Sequence, residues 1–177
     1  SELHRALNDA LAGDSILLER NTEPYRVSLN SPYSYHGKSH DKQITIQSID
    51  PNNRAVIDSV FLSGVSNVEF RNINFKLDDP LLNDLFFVRD SNNITITNSN
   101  LTGRAVEMFA EGAVYGGNGV RAIRSDNITI TGNNFEQFAV GVHFGQVNKS
   151  DISRNNITKI QVDGIQLAEV SFLDITD

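Results

Sequence analysis

The amino-acid sequence predicts an all-β fold, a right-handed parallel β-helix with an N-terminal capping helix. Short segments of the form Asn-Ile-Thr-Ile-Thr recur along the chain. Apolar and polar residues alternate within each copy, and an asparagine-rich turn follows most of them. A repeating unit of roughly two dozen residues cannot bury its apolar side alone, so successive copies are expected to stack into one core.

The repeat is clearest when the central apolar residue of each copy serves as a marker. The markers are Ile46, Phe70, Ile96, Ile130, Ile152 and Ile175. They lie 24, 26, 34, 22 and 23 residues apart, so the longer intervals contain loop insertions. Alternation with a period of two indicates strands with one side in the core. The strands expected to stack in parallel register are Ile44–Gln47, Val68–Phe70, Ile94–Thr97, Ile128–Thr131 and Asp151–Ser153.

The turn after each of these strands places an asparagine at an equivalent position. The aligned residues are Asn74, Asn100, Asn134 and Asn156. Stacked asparagines can hydrogen-bond to one another and to the backbone of the turn, which satisfies polar groups at a tight bend. The sequence therefore predicts an asparagine column along one edge of the stack.

A second ladder of triplets precedes the first in each coil. The triplets start at Val60, Phe86, Val120, Val142 and Ile165. Their outer members are expected to face the core and their middle members to face outward. Gly119, Gly141 and Gly164 stand just before the last three triplets, where a bend or a close backbone approach is expected.

The two ends of the chain have different patterns. Leu3, Ala6, Leu7, Ala10 and Leu11 follow a helical spacing, and Gly13 ends that segment. Residues 1–13 are therefore expected to cap a single domain whose coils occupy residues 14–177.

The last copy of the repeat is truncated, which predicts a fragment whose C-terminal end is open. The apolar residues expected to meet water there are Leu167, Val170, Phe172, Leu173 and Ile175. An exposed apolar strand edge recruits further strands, so self-association through this coil is expected.

The composition limits the classes of partner. A net charge of −7 argues against nucleic acid, which needs a basic face. No apolar run is long enough to form a membrane span. Cysteine is absent, so packing rather than disulfide bonds must hold the fold together.

Three segments carry a resemblance to a known superfamily: Ser1–Leu7, Ala12–Leu18 and Ile44–Ser48. With the Asn-Ile-Thr-Ile-Thr coils they resemble pectate-lyase-like right-handed β-helix proteins, and more closely bacterial proteins related to alginate lyases and mannuronan C5-epimerases. This resemblance implies a secreted or cell-surface protein of bacterial type with an acidic polysaccharide as partner. The segment Gly141–Gly145 is nearest to the epimerase signature Gly-aromatic-Asp-Pro-His, but it carries His143 where that family has an aspartate.

The resemblance also implies a groove along one outward face, walled by inserted loops. Two insertions, residues 76–84 and 102–118, enter the second ladder and are expected to flank the same groove. Its floor would carry Arg121, His143 and Gln166, in register on consecutive coils about 4.8 Å apart. The alternative interpretation is that these three residues are ordinary solvated positions of a strand.

Removal of the C5 proton of a uronate needs a base near neutral pH and neutralisation of the adjacent carboxylate. His143 is the predicted base, Arg121 the neutralising group and Tyr115 the proton donor. The predicted substrate-binding residues are Gln166, Arg104, Glu107 and Glu111. The oxygen ligands for a possible calcium ion, which related lyases use to bridge acidic groups, are predicted to be Asp78, Asp79 and Asp84.

These observations predict a polysaccharide-directed β-helix module, with uronate lyase or C5-epimerase chemistry as its enzymatic form. One alternative is a non-catalytic scaffold that binds glycan or extends a secreted or surface protein. A segment of an assembly tail or spike is another alternative, because β-helices also build such structures.

Overall fold

The computed structural model describes residues 2–30, 39–107 and 113–177, and within these the chain forms one helix and fifteen strands. The helix α1 spans Glu2–Asp9. The strands are β1 (Ser15–Leu18), β2 (Tyr25–Asn30), β3 (Ser39–Ser48), β4 (Val56–Ser63), β5 (Ser66–Arg71), β6 (Asn74–Lys76), β7 (Asp84–Arg89), β8 (Asn92–Thr97), β9 (Asn100–Thr102), β10 (Arg104–Glu107), β11 (Ala113–Gly116), β12 (Asn118–Thr131), β13 (Asn134–Ser153), β14 (Asn156–Ala168) and β15 (Ser171–Thr176).

All the strands except β10 and β11 stack in parallel as a β-helix with three faces. Face 1 contains β1, β3, β5, β8, the C-terminal parts of β12 and β13, and β15. Face 2 contains β2, β4, β7 and the segments of β12, β13 and β14 that pair with them in order. Face 3 contains the start of β4, then β6, β9 and the first residues of β13 and β14. The long strands pass around corners between faces.

The register predicted from the sequence is confirmed. On face 1 each marker residue pairs with the next, from Ile46 with Phe70 to Ile152 with Ile175. On face 2 the triplets that start at Val60, Phe86 and Val120 also pair in order. Each step to the next coil is a parallel ladder, so a column of equivalent residues runs along every face.

The interior is filled by the inward members of both ladders. Phe70, Phe75 and Phe86 are fully buried and meet edge to face, with the Phe70 and Phe86 ring centroids 4.9 Å apart. Edge-to-face contacts of this kind add to the hydrophobic stabilisation that burial of the rings supplies. At the N-terminal end, Leu3 and Leu7 of α1 are buried in the same core, as predicted for a capping helix, whereas Leu11 is exposed.

The corner between faces 1 and 3 carries two columns of polar side chains. In the outer column, Asn100 Nδ2 donates to Asn74 Oδ1 over 2.9 Å, and Asn134 Nδ2 donates to Asn100 Oδ1 over 3.0 Å. The side-chain bonding predicted for this column is therefore present. The coil-to-coil bonds to the turn backbone are made one residue earlier, by a buried inner column of Ser99, Asn133 and Asn155.

The inner column supplies hydrogen-bond partners to backbone groups at the tight corner. Asn133 Oδ1 accepts a 2.9 Å hydrogen bond from the Ser99 amide, and Asn133 Nδ2 donates to the Ile96 carbonyl over 2.9 Å. Asn155 repeats both contacts one coil later, with the Asn133 amide and the Ile130 carbonyl. Without these side chains the amides of Ser99 and Asn133 would lose these hydrogen bonds, which is costly for buried groups.

The last coil is exposed, as predicted. Leu167 and Ile175 are 43% and 50% exposed, and Leu173 is partly buried against the core. Phe172 is 81% exposed and has a φ of 52°, which places it in the outward column that contains Asn127 and not in the inward one. Self-association through this coil stays a prediction. Within the described residues, no helix has the length and apolarity needed to cross a membrane.

Substitutions of the adjacent residues Asn133 and Asn134 test whether the inner column, which bonds the backbone, contributes more to stability than the outer column. Asn133→Ala would leave the buried Ser99 amide without its partner, at about 1–3 kcal/mol, whereas the Ile96 carbonyl stays within the parallel ladder with β12. We therefore expect urea unfolding to show a loss of about 1–3 kcal/mol. Asn134→Ala removes an exposed amide and should cost less than about 1 kcal/mol. Equal losses would contradict the inner and outer assignments.

Candidate functional site

The outer side of face 2 carries a row of side chains at one register position. It consists of Phe61, Phe87, Arg121, His143 and Gln166, each paired with the next on the following coil. We call this set the face 2 row. The adjacency predicted for Arg121, His143 and Gln166 is therefore present. It results from the strand alternation, which directs the two neighbours of each of these residues toward the core.

The two phenylalanines of the face 2 row were not among the residues that the sequence predicted for the site. Their ring centroids lie 5.6 Å apart with the planes tilted by 47°, and both residues are only partly buried. Arg89 stands over the Phe61 ring at 5.4 Å, and Arg121 stands over the Phe87 ring at 5.5 Å. Phenylalanine at the outward position of a triplet was the available signal, because that position faces water.

Arg121 is held between Phe87 and a carboxylate, with one donor unused. Its Nη1 lies 3.7 Å from Asp84 Oδ2, beyond hydrogen-bond distance, while Asp84 Oδ1 accepts a 2.6 Å hydrogen bond from Asn118 Nδ2. Among the described residues, the buried Nε of Arg121 has no hydrogen-bond partner. The Arg121 side chain is 38% exposed, and a guanidinium carries five N–H donors pre-organised for planar acceptors, so the exposed part of this side chain can meet an acceptor from outside the chain.

Further arginines form ion pairs with acidic side chains on and around face 2. Arg26 Nε lies 2.7 Å from Asp58 Oδ2, and this hydrogen bond and ion pair raise the pKa of Arg26. Arg124 Nε lies 2.8 Å from Asp90 Oδ1, and the hydrogen bond from Arg124 lowers the pKa of Asp90, with a further contribution from Arg89. This side of the protein is therefore less acidic than the net charge of −7 indicates.

The two insertions are linked to each other at the edge of face 2. The second insertion contains an antiparallel hairpin of β10 and β11. From this hairpin, Arg104 donates a hydrogen bond from Nη1 to the carbonyl of Asp79 in the first insertion. The predicted substrate-binding residue Arg104 thus joins the two loops. Glu107 ends β10 but its side chain lies outside the described part, and Glu111 lies outside the described residues altogether.

Tyr115, the predicted proton donor, lies on β11 opposite Ala105. Its phenol is close enough to Lys159 to contribute to the raised pKa of that ammonium group, whose main cause is a hydrogen bond to Glu136. Lys159 Nζ lies 3.0 Å from Glu136 Oε2. Tyr115 therefore stands at the corner between faces 3 and 2, on the side of Glu136 and Lys159.

Each of the three aspartates predicted to bind calcium has a cationic neighbour of its own. Asp78 Oδ2 lies 3.0 Å from Lys76 Nζ, and Asp79 Oδ2 lies 3.8 Å from Arg26 Nη2. Asp84 faces Arg121. Among the described residues, no group of three or more His, Cys, Asp or Glu side chains could hold a metal ion. The calcium site predicted at these positions thus has no ligand cluster.

Glycines at the edge of face 2 allow the coils that carry the row to approach closely. A Cβ atom on Gly119 would lie 2.6 Å from the Gly141 carbonyl oxygen, and one on Gly141 would lie 2.5 Å from that of Gly164. Both distances are steric overlaps with backbone, so the close approach predicted there is confirmed. At Gly164 a Cβ atom would meet only Ile157 Cγ2, at an ordinary 3.8 Å.

The glycine pair offers a matched test of this packing. Gly141→Ala forces backbone apart beneath His143, and overpacking of this kind costs about 1–3 kcal/mol. Gly164→Ala makes only an ordinary van der Waals contact with Ile157 and should stay within about 0.5 kcal/mol of the parent. Urea unfolding of both variants gives the comparison. A Gly141→Ala protein as stable as the parent would mean that the coils are further apart than described.

Comparison with protein-family models gives one match. The model for the right handed beta helix region matches residues 58–177, which is more than half of the chain and includes the whole face 2 row. The chain belongs to the right-handed β-helix family. Neither the curated proteins nor the solved structures compared with the chain gave a match.

For a right-handed β-helix, family membership establishes the architecture and leaves the chemistry to the side chains of each face. The matched region begins in β4, so it includes the β-helix coils from Phe61 to the last strand. The face 2 row and the two insertions therefore lie within the matched region.

Proposed function

We propose that this β-helix is a polysaccharide-directed module that binds an acidic glycan along the face 2 row. The observation that carries the proposal is the row itself. Two stacked phenylalanines are followed, coil by coil, by Arg121, His143 and Gln166. The step between coils is about 4.8 Å, so the row offers regularly spaced contacts to an extended polymer.

The composition of the row fits sugar rings. The apolar C–H faces of a pyranose pack on aromatic rings, and the partly exposed Phe61 and Phe87 provide such a surface. Gln166 and His143 offer hydrogen-bonding groups to the ring substituents. A binding site that combines aromatic surface with a few placed polar groups is typical of small-molecule and sugar recognition.

The partly exposed guanidinium side chain of Arg121 supports an acidic sugar over a neutral one. Arginine forms paired hydrogen bonds with carboxylates. The Asp84 carboxylate lies at 3.7 Å from Nη1, too far for a hydrogen bond, so a ligand carboxylate can compete with it. The secreted or cell-surface location expected from the resemblance fits a polysaccharide partner.

The second candidate is the enzymatic form of the same site, a uronate lyase or C5-epimerase. Its supporting observation is that His143 is the register neighbour of Arg121. A base placed beside the group that neutralises a carboxylate is what abstraction of the C5 proton needs. We place binding without turnover first and the structural scaffold after both.

Binding is tested by isothermal titration calorimetry with alginate, pectate and glycosaminoglycan oligomers. Phe87→Ala and Arg121→Gln should each weaken binding about tenfold or more, since each removes about 1.4 kcal/mol or more of interaction. Arg71→Gln is the matched control, because Arg71 is an ion-paired arginine on face 1. Affinities that do not change in the face 2 variants, or that fall equally in the control, would contradict the proposal.

The enzymatic form is tested with the same oligomers under turnover conditions. A lyase would produce an unsaturated sugar that absorbs ultraviolet light, and an epimerase would exchange the C5 proton with deuterated solvent. Either signal should be lost in His143→Ala while glycan affinity falls by less than the activity. Binding without either signal establishes a non-catalytic module and excludes the enzymatic form for those substrates.

A further inference from the structure

A groove of about 580 Å³ runs along face 3, away from the face 2 row. The residues that line it are Arg20, Val56, Asn74, Phe75, Lys76, Asn100, Thr102, Asn134, Phe135, Glu136, Asn156 and Thr158. They come from consecutive coils, and the short strands β6, β9 and the start of β13 form its floor. Its length therefore follows the stack, with equivalent side chains repeated at about 4.8 Å.

The outer asparagine column is the main polar feature of this groove. The hydrogen bonds from Asn134 to Asn100 and from Asn100 to Asn74 fix the orientation of these amides. An amide has two N–H donors and an oxygen with two lone pairs. A central member such as Asn100 uses one donor and one lone pair within the column, so one of each remains for a ligand. The column is pre-organised, which lowers the entropy cost of binding.

Two of the three charged side chains of the groove are paired with an opposite charge. Lys76 Nζ lies 3.0 Å from Asp78 Oδ2, and Glu136 Oε2 lies 3.0 Å from Lys159 Nζ. The third, Arg20, donates from Nη1 to the neutral carbonyl of Arg54 over 3.0 Å. With Lys76 and Glu136 already paired, the neutral asparagine column is the main group that the groove offers, which suits an uncharged ligand.

The inserted hairpin lies beside the groove without lining it. Strand β11 lies against β13 and β14, the strands that carry the C-terminal part of the groove. Tyr115 of β11 is near the Glu136–Lys159 ion pair, and Glu136 lines the groove.

We infer that the face 3 groove is a second binding site, for an uncharged linear glycan whose hydroxyl groups bond the asparagine column. A hydroxyl group both donates and accepts, so it can satisfy the donor and the lone pair that a central member such as Asn100 leaves free. A carboxylate accepts only and would leave the amide oxygens unpaired. The site does not depend on the function proposed for face 2, since it uses a different face and different side chains.

The spacing of the column favours a glycan over an extended peptide. A peptide strand advances about 3.3 Å per residue, so its groups on one edge recur at about twice that distance. The column repeats at about 4.8 Å, which does not match that period. A pyranose unit in an extended polymer advances by a length close to the coil spacing, so successive sugars can meet successive amides.

The test uses the ¹⁵N-labelled protein and follows the side-chain amide signals of asparagine by nuclear magnetic resonance. The probes are linear neutral hexasaccharides of β-1,4-linked glucose, mannose and xylose. With at least one of them, we expect the signals of Asn74, Asn100, Asn134 and Asn156 to shift in a saturable manner. Asn134→Ala should then lower the affinity about tenfold, as expected for the loss of one or two hydrogen bonds.

Control variants separate this site from the one proposed on face 2. Arg121→Gln should leave the affinity for the neutral hexasaccharide unchanged, and Thr95→Ala on face 1 should do the same. The inference is overturned if no neutral hexasaccharide shifts these amides, if the shifts fall on the face 2 row, or if Asn134→Ala binds like the parent. Shifts of the same amides by an extended peptide alone would identify a peptide site and also overturn it.

Discussion

The structure depends on the parallel hydrogen-bond ladder that joins each coil to the next. A ladder of this kind allows only one lateral register wherever one side of the strand is buried, because a shift by one residue would turn every apolar side chain outward. Ile130 is therefore held between Ile96 and Ile152, and the same constraint aligns Arg121 with His143. The core and the candidate site are two consequences of one register.

The corners limit what each coil can contain. At the turns the chain must change direction while buried amides and carbonyls keep their partners, and residues with positive φ recur there, such as Asn72, Asn98 and Gly132. Asparagine tolerates this backbone region better than most residues with a side chain. The inner column of Ser99, Asn133 and Asn155 then supplies the missing hydrogen bonds. Asparagine is thus frequent in this sequence for two separate physical reasons.

The sequence was sufficient to predict the strands, their parallel register and the alignment of Arg121, His143 and Gln166, because all of these follow from period and spacing. It was not sufficient to separate Asn133 from Asn134, since the two differ only in the turn geometry that directs one inward. The outward direction of the Phe172 side chain likewise follows from local geometry, a positive φ at the strand entrance.

Features that depend on the inserted loops could not be predicted from the repeat pattern. The partners of Asp78, Asp79 and Asp84 come from different coils and loops, so their ion pairs, and the absence of a ligand cluster among them, depend on tertiary geometry. The position of Tyr115 near Lys159 depends on how the hairpin of β10 and β11 folds back. Phe61 and Phe87 were visible in the sequence, and their outward position was predicted, but their contact with the arginines was not.

The central claim is that one register aligns the coils and, with them, the face 2 row. Nuclear Overhauser contacts between backbone protons of neighbouring strands report this register directly in the labelled protein. The account predicts contacts that pair Phe87 with Arg121 and Arg121 with His143, on β7, β12 and β13. Contacts displaced by one residue, such as Phe87 with Val120, would place the row in the core and would contradict the account.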